Sequence, residues 1–372
     1  MHFFLDILDG MCDGGAKVLL VTHAVPGVSE YVTAMVRRDR LIGVIPKPNT
    51  ADKRTLQQLA SLTAVFNVSR SDIDNRSTRY LDLLAHLDAA GKFVIVDMGG
   101  YFADAVSHFP EKIQRNLIGI VEDTENGHQR YERTFARLPA APMGLSKPVV
   151  SVARSALKEP EDFLVGQAVV FSADAALRRQ NVILPAMKTV VFGYGKVGSS
   201  IAQCLKQRGA IVFVCERDPA REALALAHGF QVFPKDDALR RAELIFCATG
   251  NHCIGMQDFD RTSSRKYVFC ATSGDDELED FDAIKRVMDP TGIWGIVQTP
   301  CRGTVSICNH GHSVNFLHNG SLGPYVKLVQ AELLVAASRV DRFLPGEISE
   351  LDRSSRASIS KVWLKHHMNA VN

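Results

Sequence analysis

Three glycines near the middle of the chain have the spacing of a dinucleotide-binding turn. Gly193, Gly195 and Gly198 follow a short apolar run and open a segment with the pattern of a helix. In such a turn the first glycine permits the tight bend, the second lets the backbone approach a pyrophosphate, and the third lets helix and strand pack closely. The N-terminus of the helix faces the phosphate charge. The run, which includes Lys196 and Val197, predicts a dinucleotide site.

An acidic residue ends the next predicted strand. The Glu216 carboxylate is placed to accept hydrogen bonds from both ribose hydroxyls of an adenosine. The same charge would repel a 2′-phosphate, so the sequence favours NAD over NADP, although Arg217 weakens that preference. Thr249, Gly250 and Asn251 close another strand where a ribose of the cofactor would lie. Glycines that serve only a tight turn are the less favoured interpretation.

Short β-forming runs recur at intervals that a helix could fill, which is typical of βαβ units and a parallel sheet. The first series of predicted strands is Lys17–Thr22, Leu41–Ile45, Thr63–Val68, Lys92–Val96 and Asn116–Val121. The second series, after a predicted helix, is Thr189–Phe192, Ile211–Cys215, Leu244–Cys247 and Tyr267–Cys270. Ligands of such sheets bind beyond the carboxyl ends of the strands, so we expect the chemistry in the loops that follow them.

The length of 372 residues exceeds what one hydrophobic core usually supports. We therefore predict a two-domain α/β protein, with an N-terminal α/β substrate domain and a Rossmann-type NAD-binding domain. The expected ranges are 1–165 for the substrate domain, 166–318 for the NAD-binding domain and 319–372 for a C-terminal helical return to the first domain. Helices are predicted at Pro160–Arg179 and Val326–Arg342, and a loop at Ala140–Gly144 is expected between the two series.

The composition excludes several classes of protein. Hydrophobic residues make up 46% and charged residues 23%, which is ordinary for a globular chain. A net charge of +2 gives no reason to expect nucleic acid or an anionic membrane as partner. No stretch has the roughly 20 apolar residues of a membrane helix, and the first residues lack the basic start of a secretory signal. We expect a cytoplasmic protein with a small-molecule substrate, whose eight cysteines are buried free thiols.

Together these motifs resemble the S-adenosylhomocysteine hydrolase family. The likeness is strongest from Thr189 to Asp280 and thinner elsewhere. The residues that carry it are Gly193-Tyr194-Gly195, Val197-Gly198, Glu216, Asp218-Pro219, Thr249-Gly250 and, later, Val314-Asn315. The resemblance implies a two-domain enzyme with tightly held NAD, contacted by Asn315 among others. Such an enzyme oxidises a ribose 3′-hydroxyl, eliminates a thiol from the activated ketone, adds water and reduces the product again.

The resemblance also implies catalytic residues. Lys158 and Asp162 match the spacing of a Lys and an Asp that the family places near the reacting hydroxyl, although Phe163 replaces the family's following Asn. Asp123 stands where the family has a substrate-contacting Glu, and Thr124 keeps a Thr at the nicotinamide end. A solvated, charged helix start is the alternative interpretation of Lys158 and Asp162.

Other catalytic groups of the family have no counterpart. Met98 replaces the second Asp of an Asp-Asp-Gly-Gly-Asp run, whereas Asp97 is kept. His23 matches a family histidine, but Ala24 and Val25 follow it instead of the Thr and Glu that hold adenine and ribose. Two further family histidines are absent, as are the C-terminal Lys and Tyr that cap a neighbouring subunit's NAD. We therefore expect a substrate other than adenosylhomocysteine, and a homo-oligomer that is a dimer rather than the family's tetramer.

Three functions stay open at this point. The favoured one is an NAD-dependent redox enzyme in which Lys158 and Asp162 assist removal of a hydroxyl proton. Asp123, Asp97 and His23 would orient the substrate or transfer protons after oxidation. The second is a catalytically silent NAD-binding paralogue that serves as a sensor or partner subunit. The third is a thioether hydrolase with a relocated base. No metal is expected, because the cysteines and histidines between 301 and 312 fit no common zinc spacing.

Overall fold

The computed structural model describes residues 1–13, 16–137, 147–274, 276–279 and 281–368. The loop predicted at Ala140–Gly144 lies outside these residues. The chain divides into two compact units. Unit 1 is Met1–Glu161 with Gly323–Asn372, and unit 2 is Asp162–Leu322. The domain limits predicted from the sequence are 165 and 318, whereas the limits of unit 2 lie at 162 and 322.

The fifteen described strands form two sheets, one of seven strands in unit 1 and one of eight strands in unit 2. In chain order they are β1 Lys17–Thr22, β2 Leu41–Pro46, β3 Ala64–Val65, β4 Phe93–Asp97, β5 Leu117–Glu122, β6 Val149–Ser151, β7 Lys188–Phe192, β8 Ile211–Cys215, β9 Gln231–Val232, β10 Leu244–Cys247, β11 Arg265–Cys270, β12 Asp289–Thr291, β13 Trp294–Gln298, β14 Thr304–Cys308 and β15 Ile348–Ser349. This strand count refers to the described ranges.

Fourteen α-helices are described alongside them. They are α1 His2–Met11, α2 Val28–Arg37, α3 Lys53–Leu62, α4 Arg70–Asp74, α5 Thr78–Ala89, α6 Glu111–Asn116, α7 Glu125–Arg137, α8 Glu159–Arg178, α9 Lys196–Gln207, α10 Pro219–Ala227, α11 Lys235–Arg241, α12 Phe281–Val287, α13 Val326–Arg339 and α14 Arg353–His367. Of these described helices, none combines the length and the apolar content needed to cross a membrane.

The sheet of unit 1 is parallel throughout, in the order β15-β6-β5-β4-β1-β2-β3. Its strands are apolar on both faces because each face is covered by helices. In β1, Val18 and Leu20 pack in a core with residues of α1, α2 and α13, while Leu19 and Val21 pack in a second core with residues of α5. The chain reverses its direction of winding between β1 and β4, and a crevice for ligands is expected at such a point.

The sheet of unit 2 has the order β12-β13-β14-β11-β10-β7-β8-β9. From β14 to β9 all pairs are parallel, and β13 and β12 add an antiparallel edge. Read from β9, the parallel part has the strand order of a Rossmann fold, 3-2-1-4-5-6, with its switch point between β7 and β10. The predicted class, α/β with a Rossmann-type domain and a second α/β domain, is confirmed.

Most of the predicted strands lie within two residues of their expected limits. The exception is Thr63–Val68, of which only Ala64–Val65 is a strand, at the edge of its sheet and paired with β2. The predicted helices at Pro160–Arg179 and Val326–Arg342 correspond to α8 and α13. All eight cysteines are free thiols, as expected, and four of them are buried. The expectation of burial is wrong for Cys301, which is exposed, and is met only in part by the half-buried Cys12, Cys215 and Cys253.

One buried ion pair joins two C-terminal helices of unit 1. Glu332 of α13 has no exposed surface and accepts hydrogen bonds from Ser155 Oγ at 2.6 Å and from Arg356 Nε of α14 at 2.8 Å. Burial raises the pKa of the Glu332 carboxyl, while Ser155 and Arg356 favour its charged form. Removal of the guanidinium would leave a buried carboxylate without its counter-charge, which is costly.

We predict that Arg356→Ala lowers the free energy of unfolding by about 3 kcal/mol, because Glu332 then lies buried without a cation. Urea unfolding of both variants measures this effect. Lys361→Ala, at an exposed position of the same helix, is the matched control and should have a free energy of unfolding close to that of the parent chain. Equal stability of the two variants would show that the pair is dispensable.

Candidate functional site

The glycine turn of unit 2 links β7 to α9, and each glycine has a distinct reason to lack a side chain. Gly193 has a φ of +88°, and a Cβ there would lie 2.8 Å from the Ala248 carbonyl oxygen. A Cβ on Gly198 would collide with the Gly193 carbonyl oxygen. Gly195 differs, since its nearest neighbour at the Cβ position is Arg221 Nη1 at 3.5 Å. The backbone at Gly195 is therefore open to a ligand, as a pyrophosphate site requires.

The Glu216 carboxylate is fixed against this turn. It accepts hydrogen bonds from the backbone N–H of Tyr194 at 2.5 Å, of Arg217 at 2.7 Å and of Asp218 at 2.9 Å. The side chain at the end of β8 thus reaches the glycine turn after β7. A ribose beside a pyrophosphate on that turn would meet a carboxylate that is already oriented.

The second predicted cofactor loop follows β10. Thr249 donates from both its backbone N–H, at 3.0 Å, and its hydroxyl, at 2.8 Å, to Glu277 Oε2, and the N–H of Asn251 donates to the Thr249 hydroxyl oxygen. Gly250 between them has a φ of +60°. Glu277 is buried, and burial raises the pKa of its carboxyl. Sequence reasoning missed Glu277, because nothing in its local pattern distinguishes it from neighbouring acids.

Three other predicted cofactor residues also belong to unit 2. Asn315 is buried, and its Oδ1 accepts a hydrogen bond from Ser313 Oγ at 2.6 Å. Val197 lies in the first turn of α9, half-buried. Lys196, the first residue of α9, pairs with Asp162 at 3.5 Å, so the carboxylate predicted for catalysis contacts the glycine turn.

In unit 1 the predicted residues follow the carboxyl ends of neighbouring strands. We call the loops that follow β1, β2, β4, β5 and β6 the carboxyl edge. Lys158, after β6, donates from Nζ to Asp123 Oδ1 at 2.7 Å and to Glu161 Oε1 at 3.1 Å. Lys158 and Asp123 are 6% and 5% exposed, so this ion pair is buried. The structure therefore pairs Lys158 with Asp123, and Asp162 with Lys196.

His23, at the end of β1, shares a 2.6 Å hydrogen bond between its Nδ1 and Thr50 Oγ1. Burial, and then the ammonium groups of Lys47 and Lys158, hold the pKa of His23 well below its usual 6.5. The imidazole is therefore neutral near pH 7. The Thr50 hydroxyl also lies 3.3 Å from the Lys47 carbonyl oxygen. In the arrangement in which it donates to that oxygen, it accepts from Nδ1–H of His23, and the lone pair of the ring is on Nε2.

Asp97 is fully buried beneath the loop that follows β4. Its carboxylate accepts from the backbone N–H groups of Met98, Tyr101 and Phe102 and from the Tyr131 hydroxyl, at 2.7 to 3.1 Å. Burial raises the pKa of Asp97. These four donors show that Asp97 fixes the loop, whereas its predicted role of orienting the substrate or transferring protons stays a prediction.

Glu122 has the same function one strand away, and sequence reasoning did not assign it a role. It accepts from the N–H groups of Gly99 and Gly100 and from both the N–H and the hydroxyl of Thr124, at 2.7 to 3.0 Å. Burial, and then the Asp97 carboxylate, raise the pKa of Glu122 to about 7. Thr124, predicted at the nicotinamide end, is thus held in place by Glu122.

The fold and the glycine turn define unit 2 as a Rossmann-type domain that binds a dinucleotide. The comparisons specify it further. Residues 169–292 match the family model described as S-adenosyl-L-homocysteine hydrolase, NAD binding domain. The resemblance seen in the sequence is confirmed for these residues, which are similar to the NAD-binding domain of that family, and NAD is the cofactor of this domain. The group would be held by the glycine turn, by Glu216 and by the loop at Thr249.

Two curated relatives match the chain over 183 residues each. Adenosylhomocysteinase of Triticum aestivum is 31% identical over 47% of this chain and 36% of its own length. Adenosylhomocysteinase of Thermoplasma acidophilum is 30% identical over 49% of this chain and 42% of its own length. The likeness thus covers less than half of either relative.

Two solved structures are similar at lower identity. A putative D-3-phosphoglycerate dehydrogenase from Ralstonia solanacearum has a TM-score of 0.45 at 12% identity, covering 96% of this chain and 94% of that one. A phosphoglycerate oxidoreductase from Vibrio cholerae has a TM-score of 0.44 at 15% identity, covering 73% and 81%.

We predict that Glu216→Gln weakens NAD binding about tenfold and narrows the preference for NAD over NADP, because hydrogen bonds to a charged acceptor are lost. Titration of the purified chain with each nucleotide measures both effects. Asp236→Asn, an exposed substitution in the same unit, is the control. Unchanged affinity in Glu216→Gln would contradict the assigned ribose contact.

The pKa of Glu122 predicts how stability depends on pH. The folded chain keeps a proton on Glu122 up to about pH 7, whereas the unfolded chain releases it near 4.5, so stability should fall as pH rises through this interval. Urea midpoints at about pH 5 and about pH 8 test this. The decline should shrink in Glu122→Gln, which cannot titrate, and persist in Glu111→Gln at an exposed position. A decline of equal size in both variants would refute the prediction.

Proposed function

We propose that the chain is an NAD-dependent enzyme that oxidises a hydroxyl group on a substrate other than adenosylhomocysteine. The observation that carries the proposal is the presence, on the carboxyl edge, of both a neutral imidazole and a buried ammonium. With Nδ1–H directed to Thr50, the lone pair of His23 is on Nε2, and Lys158 Nζ lies within hydrogen-bond distance of both Asp123 and Glu161. The NAD-binding domain on the same chain would bind the hydride acceptor that an oxidation by these groups requires.

Oxidation of an alcohol needs an acceptor for the hydroxyl proton and one for the hydride. Bound NAD supplies the hydride acceptor. We assign the proton to His23 Nε2, because a histidine that is neutral at pH 7 has a ring nitrogen that can accept a proton. The Lys158 ammonium would stabilise the negative charge that develops on the substrate oxygen as the proton leaves.

The remaining predicted residues receive supporting roles in this proposal. Asp123 fixes the position and charge of the Lys158 ammonium through their 2.7 Å contact. Asp97 holds the loop after β4 in place. Asp162 would position Lys196 at the glycine turn, where the cofactor is expected to bind. A dimer stays a prediction, which light scattering of the purified chain would test.

The choice of a substrate other than adenosylhomocysteine is supported by the side chains at the carboxyl edge. Met98 cannot accept a proton where the family has its second Asp, and the backbone N–H of Met98 is bonded to Asp97. Ala24 is fully buried, and it cannot replace the hydroxyl of the family's Thr. Elimination of a thiol would therefore lack both a base and a purine contact at these positions.

We predict that His23→Ala and Lys158→Ala each lower kcat/KM at least about a hundredfold, as expected for loss of a positioned acid or base, while NAD affinity stays unchanged. The assay is NADH absorbance over a panel of hydroxylated metabolites. His108→Ala, an exposed histidine of the same unit, is the control. In the parent chain the acid limb of the pH–rate profile should lie below 6.5, because the pKa of His23 is lowered.

The other functions give different results in the same experiment. Firm NAD binding with no NADH over the whole panel would favour the catalytically silent paralogue and refute the redox proposal. Release of homocysteine from adenosylhomocysteine, detected with a thiol reagent, would favour the thioether hydrolase. An acid limb above 6.5 would reject His23 as the base.

A further inference from the structure

We infer that the carboxyl edge of unit 1 binds an anionic group of the substrate, a carboxylate or a phosphate, between Lys47 and Arg70. The inference deepens the proposed function, on which it rests, because it states the chemical class of the hydroxylated substrate. The geometry that points to it lies at Gly99, the second residue after β4.

Gly99 marks a point that two cations share. Its φ is +93°, and a Cβ built there would lie 3.4 Å from Lys47 Nζ and 3.5 Å from Arg70 Nη2. Apart from the residues flanking Gly99, no other heavy atom of the described chain lies within 4 Å of that point. An ammonium and a guanidinium thus lie on the side of Gly99 from which a side chain would project. An anion that binds beyond this point, between the two groups, would be in reach of both.

Arg70 is held in position for this role by its neighbours. Its Nη2 donates to the Gly99 carbonyl oxygen at 2.8 Å, and its Cζ lies 5.5 Å from the centre of the Tyr101 ring. Its Nε is buried and has no hydrogen-bond partner in the described part of the chain. A buried donor of this kind is costly unless a ligand satisfies it.

Lys47 differs from a solvated surface lysine. It follows β2 directly and is 6% exposed, and its ammonium lowers the pKa of His23. The two carboxylates that contact this loop, Asp97 and Glu122, are turned to its backbone N–H groups. The charge that faces the point beside Gly99 is therefore positive.

A guanidinium and an ammonium that converge on one point recognise the oxygens of an anion, since the planar fork of Arg suits carboxylate and phosphate. The same cations lie on the edge that holds His23, the proposed base. The substrate class that fits both features is an alcohol that also bears a carboxylate or a phosphate. An anion would bring a negative charge to the two cations, which a neutral polyol lacks.

Binding is tested on the full chain loaded with NAD, so that the glycine turn is occupied. Calorimetric titration with inorganic phosphate and with acetate distinguishes the two anions, and acetamide is the neutral probe. We expect at least one anion to bind, acetamide not to bind, and Lys47→Met and Arg70→Gln each to weaken the anion about tenfold. Lys47→Arg, which keeps the charge, should retain most of the affinity.

Matched controls are Lys53→Met and Arg79→Gln, exposed residues of the same types in the same unit. Circular dichroism verifies that each variant is folded. Absence of anion binding by the parent chain, or equal affinity in the variants and controls, would overturn the inference.

Turnover separates this inference from the proposed function. Hydroxy acids are compared with their amides, and phosphorylated alcohols with the free alcohols, by NADH absorbance. NADH formed equally well from the neutral members would reject the anion site while leaving the redox function intact. Anion binding that depends on Lys47 and Arg70, without any NADH, would support the site and reject the redox function.

Discussion

The structure depends on carboxylates that satisfy the backbone N–H groups of the turns where strands end. A turn at the carboxyl end of a buried strand contains donors that the sheet does not use, and an unsatisfied buried donor is costly. Asp97 and Glu122 accept such donors after β4 and β5. Glu216 and Glu277 do the same at the two cofactor loops of unit 2. Both candidate sites are therefore built on inward-facing acids.

This arrangement assigns separate roles to side chains that look alike in the sequence. Asp97 and Asp123 both follow apolar strands, yet Asp97 accepts four donors of the protein whereas Asp123 holds Lys158. The difference follows from one step along the chain: Asp97 is the last residue of β4, and Asp123 comes just after the last residue of β5. Both are buried, and their different partners are consequences of that register.

Much of the fold could be predicted from the sequence, because apolar runs at regular spacing and a glycine turn are local signals. Elements whose pairing is distant in the chain could not be predicted. β6 has three residues and lies between β5 and β15, some of whose residues are about 200 positions away. The glycine turn and Glu216 follow a pattern of spacing, and both lie where expected. Glu277, Lys47 and Arg70 carry no such pattern, and their roles follow only from the loops that the fold brings together.

The inward-facing acids have a consequence for how such a protein can change. Asp97 and Glu122, which hold the loop after β4, are buried. The side chains that would select a ligand are different residues: Met98 on that loop, Lys47 after β2 and Arg70 at the start of α4. Replacement at these three positions can therefore redirect chemical preference without dismantling the scaffold. Homologues with this framework could therefore differ in the metabolite they accept, and a laboratory library randomised at the same positions could yield folded variants with new substrates.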